Sequence, residues 1–410
     1  MPPKPFVRPT RPARPSSLSE GRRKSVDLFV TIVLDGVGIG AQPDAHLYGD
    51  EGCNTLAHVC AAARPHLPHL TRLGLGCITP LTGVPPVDRP EADFGKMQEV
   101  SAGKDSTTGH WELAGLRLDR PFPTYPNGFP PEVIQRFLDV TGADGVLANK
   151  PESGTVVIAE FGEEHQRTGR PIVYTSADSV FQIAAHKDTI PLERLYEMCA
   201  LARDEVCIGD HAVGRVIARP FVGRPGAYVR VSAERKDYSL RPPGTTVQEA
   251  LQAGGVRTNA IGKIGDLFGG VGFDHIRKTK TNATGIEETL RCMRAAEGRS
   301  FIWTNLVDFD QEFGHRNDPD GFARALEAFD RALPDLMESL PAWGKLVITA
   351  DHGNDPTTPG TDHTREYVPL LVYGGGSGGR DLGTRPSFND HAATVAAHFR
   401  VDFETQGTPF

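Results

Sequence analysis

Two short apolar runs in the C-terminal third of the chain each end in a cluster of carboxylates and imidazoles. Lys345-Leu-Val-Ile-Thr349 leads into Asp351, His352 and Asp355, then Asp362, His363 and Glu366; Phe301 to Val307 leads into Asp308, Asp310, Glu312 and His315. Short apolar runs bounded by turn signals read as strands buried on both faces, which belong to parallel sheets covered by helices. In open sheets of that kind, ligands bind beyond the carboxyl ends of the strands. Oxygen and nitrogen donors without a thiolate suit Mn²⁺, Zn²⁺ or Mg²⁺. Two such clusters in one chain point to a two-metal site.

The rest of the chain fits that architecture. Further apolar runs occur at Leu28 to Leu34, Val256 to Ile261 and Val368 to Tyr373, and helical patterns fall between the runs. In Gly321 to Leu333, the residues Phe322, Leu326, Phe329 and Leu333 recur at spacings of four, three and four and mark one buried helix face. The expected class is α/β, a doubly wound core. Turn-rich segments, Pro121 to Pro126 and Arg241 to Gly244, bracket a less regular stretch with short strand-like runs at Val156 to Ala159, Ile172 to Thr175, Gly214 to Ala218 and Tyr228 to Val231. Residues 121–244 are therefore expected to form an α+β domain inserted into a core made of 26–120 and 245–410.

Composition excludes several function classes. The 410 residues, 39% hydrophobic and 23% charged, describe a globular protein, and a net charge of -8 argues against a nucleic-acid partner. Small anions stay open, because a metal site supplies local positive charge. The six cysteines form no C-x-x-C pair, as expected of reduced thiols in a cytoplasmic protein, and no apolar run approaches the roughly 18 residues that span a bilayer. Residues 1–25 are rich in Pro, Arg and Ser with Glu20 the one acid, a composition expected to be disordered. Oligomeric state leaves no mark.

Other residues can join the chemistry. Asp35 stands at the end of the first apolar run, before Gly36-Val-Gly-Ile-Gly40, whose spacing is not that of a dinucleotide fingerprint. An Asp there also suits a helix cap. Ser101-Ala-Gly-Lys-Asp105-Ser106-Thr107-Thr108 opens a helical stretch; its hydroxyls suit either capping or a phosphoryl acceptor favoured by the helix dipole. It lacks the Walker A spacing.

Taken together, Leu34 to Asp44, Gly103 to Glu112, Tyr174 to Val180, Gly214 to Gly223, Asn305 to Asp310 and Asp351 to Glu366 make the chain resemble the metal-dependent phosphopentomutases of the alkaline phosphatase superfamily, from about Val26 onward. The resemblance implies an alkaline-phosphatase-like core with an inserted cap. It implies two Mn²⁺ ions, one on Asp35, Asp351 and His352 and the other on Asp310, His315 and His363. The phosphorylated residue would be Ser106, where the family usually has Thr, with Thr107 the alternative. Ser176 and Asp178 would touch sugar hydroxyls, and Arg215, Arg219 and Lys263 the distal phosphate. The substrates would be pentose phosphates, with glucose 1,6-bisphosphate or a similar sugar bisphosphate as activator. Rival readings are a related phosphomonoesterase, a cofactor-independent phosphoglycerate mutase and a metal-stabilised binding module without turnover.

Overall fold

The computed structural model describes residues 26–176, 178–376 and 378–410; the expected tail, residues 1–25, lies outside them. In chain order, β1 (Asp27–Leu34) and β2 (Asp93–Met97) precede β3 (Leu147–Pro151), β4 (Ile172–Thr175), β5 (Val180–His186), β6 (Arg215–Val222), β7 (Val229–Arg230) and β8 (Lys236–Ser239). Then come β9 (Arg257–Ile261), β10 (His275–Arg277), β11 (Arg299–Leu306), β12 (Lys345–Thr349), β13 (Val368–Gly374) and β14 (Asp381–Arg385).

The larger sheet runs β10-β9-β11-β1-β12-β13-β2-β14. From β10 to β12 every pairing is parallel, β13 is antiparallel to both its neighbours, and β14 is parallel to β2. The central strand β1 explains its own place: Leu28, Phe29, Val30, Ile32 and Val33 are fully buried, which only a strand covered on both faces allows. Helix Pro319–Glu338 is capped by Asp318, whose carboxylate accepts from Gly321 N, and it buries Phe322, Leu326, Phe329 and Leu333 as their spacing predicts. The doubly wound α/β class holds. Strands β2, β10 and β14 had no clear sequence signal.

The second sheet, β3-β4-β5-β6-β7 with β8 also on β6, is built wholly from residues between β2 and β9. One face packs on Val133, Phe137, Leu195 and Met198, the other on Val157 and Ile158. The expected strand at Val156 to Ala159 is a correction: those residues lie inside helix Gly154–Thr168. Ser153 Oγ caps it by accepting from Val156 N, and Gly169 ends it at φ +75°. Its buried residues, Val157, Ile158, Gly162 and His165, follow the helical period rather than alternation.

Among the described residues no helix is long and apolar enough to cross a membrane, and all six cysteines are unpaired.

Candidate metal centre

Strand order builds the centre. Because β11, β1 and β12 are neighbours and parallel, their carboxyl ends open side by side. Asp35 follows β1 at once, Asp351 and His352 follow β12, and Asp310 leaves β11 through the tight turns Phe309–Phe313 and Gly314–Arg316 that also carry His315. Gly36 turns the chain at φ +76° and donates its N–H to Asp351 Oδ1 at 3.1 Å. A side chain there would meet Asn354 at 3.0 Å, so the turn calls for glycine.

Ligand atoms of Asp35, Asp310 and His352 lie within 4.8 Å of one another, and so do those of Asp310, His315 and His363. The carboxylate of Asp310 is thus common to both groups, a sharing the sequence did not predict. Asp351 Oδ2 borders the first group, 3.4 Å from His352 Nε2. The three imidazoles form a row, with His363 4.0 Å from the His352 ring and 4.8 Å from that of His315. Backbone carbonyls fix two tautomers: His352 Nδ1 faces Gly353 O at 3.0 Å and His315 Nδ1 faces Thr361 O at 2.5 Å. Each Nε2 is left to face the carboxylates as a metal ligand would.

The chemistry of these donors fits divalent cations. Asp35 Oδ1, Asp351 Oδ2 and His363 Nε2 are buried without a hydrogen-bond partner. Buried polar atoms are normally satisfied, and these converge. Burial opposes the charge on Asp351 and Asp310, yet His352 and His110 hold the first carboxyl, and His363 and Lys263 the second, well below the usual range. Burial likewise opposes charge on His352, but Asp351, Asp35 and Asp310 push its pKa up to about 10. The centre demands positive charge.

Ser106 enters this cluster and Thr107 does not engage it. Helix Ser106–Leu113 is capped by Asp105, which accepts from Thr107 N and Thr108 N at 3.0 and 3.1 Å and from Thr108 Oγ1 at 2.6 Å. The cap is therefore a carboxylate, and the Ser106 hydroxyl is free to lie 3.1 Å from His352 Nε2. His110, one turn on, places Nδ1 2.8 Å from Ser106 O and 3.2 Å from Asp351 Oδ2.

The cap residues named from sequence gather elsewhere. Ser176, Asp178, Arg215 and Arg219 line one cavity of about 320 Å³ on the second sheet, joined by Gln182, Arg235 and the first turn of helix Gly154–Thr168. Arg219 Nε donates to Gln182 Oε1 at 3.1 Å, and burial together with Arg235 lowers its pKa. Lys263 is not with them. Its Nζ lies 2.8 Å from Asp35 Oδ2 and 3.5 Å from Asp310 Oδ2, inside the metal cluster. Burial works against its charge, but those carboxylates raise its pKa above the ordinary value.

Two supporting residues carried no sequence signal beyond lying in the same loop. Asn354 Nδ2 donates to Asp310 Oδ1 at 2.7 Å. Buried Glu366 accepts from Gly40 N, Thr55 N, Thr55 Oγ1 and Thr364 Oγ1 at 2.7–3.0 Å, tying the β1 exit to the loop that bears His363.

Sequence comparison points to a metalloenzyme. Residues 28–403 match the family described as Metalloenzyme superfamily. The phosphopentomutase of Caldanaerobacter subterraneus subsp. tengcongensis is 55% identical over 93% of this chain and 96% of its own, and that of Deinococcus radiodurans 54% identical over 92% and 97%. A solved phosphoglycerate mutase from Leishmania mexicana is 14% identical, covers 96% of this chain and 98% of its own, and superposes with a TM-score of 0.42. That likeness is too loose to bear on activity. On the residues matched and their coverage, the chain belongs to the phosphopentomutases of the metalloenzyme superfamily.

Proposed function

We propose that this chain interconverts α-D-ribose 1-phosphate and D-ribose 5-phosphate, and the 2-deoxyribose pair, through a phosphoserine at Ser106. The observation that carries the reading is the Ser106 hydroxyl, 3.1 Å from His352 Nε2 at the edge of the Asp/His cluster. Asp35, Asp351 and His352 would hold one Mn²⁺, and Asp310, His315 and His363 the other. Bound there, the cations supply the positive charge that eases deprotonation of a hydroxyl and neutralises phosphoryl oxygens.

The chain's own residues do the rest. Ser106 sits in the first turn of its helix, where the dipole favours negative charge on Oγ. Phosphorylated Ser106 transfers its phosphoryl group to the C1 hydroxyl of ribose 5-phosphate, whose proton goes to solvent, and the Ser106 oxygen leaves as the acceptor of the next transfer. The pentose bisphosphate then turns and returns its C5 phosphoryl group to that oxygen, and the released C5 oxygen takes a proton from solvent, which leaves ribose 1-phosphate. Glucose 1,6-bisphosphate would load the first phosphoryl group. Residues 121–244 act as a cap over a core of 26–120 and 245–410, excluding the water that would otherwise hydrolyse the phosphoserine. In its cavity Ser176 and Asp178 meet sugar hydroxyls, while Arg215 and Arg219 hold the distal phosphate through N–H forks. Lys263, first assigned to that phosphate, is better placed to balance Asp35 and Asp310.

Peptide mapping by mass spectrometry after incubation with glucose 1,6-bisphosphate and Mn²⁺ tests the reading. One phosphoryl group on Ser106 is expected; phosphate on Thr107, or none, overturns it.

A further inference from the structure

Arg365 lies two residues past His363 and is 2% exposed, with its guanidinium spread across two segments. Nη1 donates to Glu99 Oε2 at 2.9 Å, Ser101 O at 2.9 Å and Gly103 O at 2.7 Å. Nη2 donates to Glu99 O at 2.9 Å and Asp44 Oδ2 at 3.0 Å, and Nε also reaches the Asp44 carboxylate. None of these acceptors is a candidate metal ligand or a residue of the sugar-phosphate cavity.

The three carbonyls belong to the segment that delivers Ser106. Gly103 is three residues before it, and Asp105, which caps its helix, is two residues beyond Gly103. The start of the segment is held independently by Glu112, which accepts from Val100 N and Ser101 N. Arg365 thus sits on the loop that carries His363 and grips the loop that carries the hydroxyl. We propose that Arg365 is a positioning residue that sets Ser106 in register with the imidazoles and carboxylates of the metal centre. A planar fork of five donors spans this set of carbonyls and carboxylates; a lysine ammonium, with three donors at one point, does not.

The proposal rests on the reading of Ser106 as the phosphorylated residue, and the test separates the two. Arg365→Lys is compared with the parent for phosphorylation of Ser106 by glucose 1,6-bisphosphate, metal content, melting midpoint, and kcat and KM for ribose 5-phosphate. Misplacing reacting atoms by about 1 Å costs about 100-fold, so kcat is expected to fall on that order while KM stays within about threefold. Metal content and the melting midpoint are expected to match the parent. A kcat within threefold of the parent, or a loss that tracks loss of metal, overturns the proposal. A parent that carries no phosphate on Ser106 overturns the underlying reading instead. Should Arg365→Lys not fold, the double variant Glu99→Gln/Arg365→Gln, which removes both partners of the buried pair, is held to the same thresholds.

Discussion

The Ser106 hydroxyl is available because Asp105 satisfies the helix start in its stead. Ser106→Ala is expected to lower turnover by at least about 10⁴-fold, the scale of losing a nucleophile. Thr107→Ala should stay within about threefold of the parent, which is under 1 kcal/mol in the barrier. Steady-state rates on ribose 5-phosphate decide both. A buried histidine sets a pH limit. His391 faces Leu113 O and Thr31 Oγ1 at 2.8 Å each, and burial lowers its pKa to about 4. Below the ordinary value of about 6.5 the unfolded chain takes up a proton that the folded chain refuses, so stability falls as pH drops from there toward 4. At pH 5 this amounts to about 2 kcal/mol, and in chelator-treated protein His391→Asn should flatten the fall in melting midpoint between pH 7 and 5. At this scale the Asp and His residues of the centre were legible, because acids and imidazoles at strand exits are few and cluster. Arg365, Glu366 and Asn354 share that loop but act through neighbours remote in sequence, and Gln182 and Arg235 reach their cavity from separate strands and loops. Spacing cannot register contacts of that kind.

Elements meet at this centre as tightly as side chains do. Helix Ser106–Leu113 lays Gly109 on the exit of β12 so closely that an added Cβ would stand 2.1 Å from Asp351 O. Alanine there improves intrinsic helix propensity by about 1 kcal/mol. Gly109→Ala is nevertheless expected to slow turnover by about tenfold or more, because the helix must back away from Asp351 and carry Ser106 with it. Unchanged kcat would show that the contact relaxes harmlessly. The same scale shows why some elements escaped notice. The β-branched run at Val156 to Ala159 reads as a strand by residue type, while the signals that make it a helix, Ser153 and Gly169, stand outside the run. β2 and β14 are short strands at one side of the sheet with Gly95 and Gly383 inside them, and β10 is a three-residue edge strand, so none offers an apolar run to notice. The central parallel strands were legible because burial on both faces leaves them largely apolar.

Across the whole molecule, the unsatisfied atoms of the centre link metal to stability. Cations that bind the folded chain and not the unfolded one add about 2.7 kcal/mol at a concentration 100 times Kd. Addition of Mn²⁺ to chelator-treated protein should therefore raise the unfolding midpoint by several degrees, and a scan that shows no shift would argue against a resident metal. Strand order has one more consequence, which concerns how the chain is made. β1 leaves the ribosome early, but its partners are Arg299–Leu306 on one side and Lys345–Thr349 on the other. At roughly 5 to 20 residues per second, β1 waits about 15 to 60 s for the second of them, an apolar segment with both edges bare. The six strands of the inserted sheet are contiguous in sequence and are complete well before that. During synthesis the smaller sheet is finished before the larger one, and an apolar strand with two unpaired edges depends on whatever shelters it in the interval.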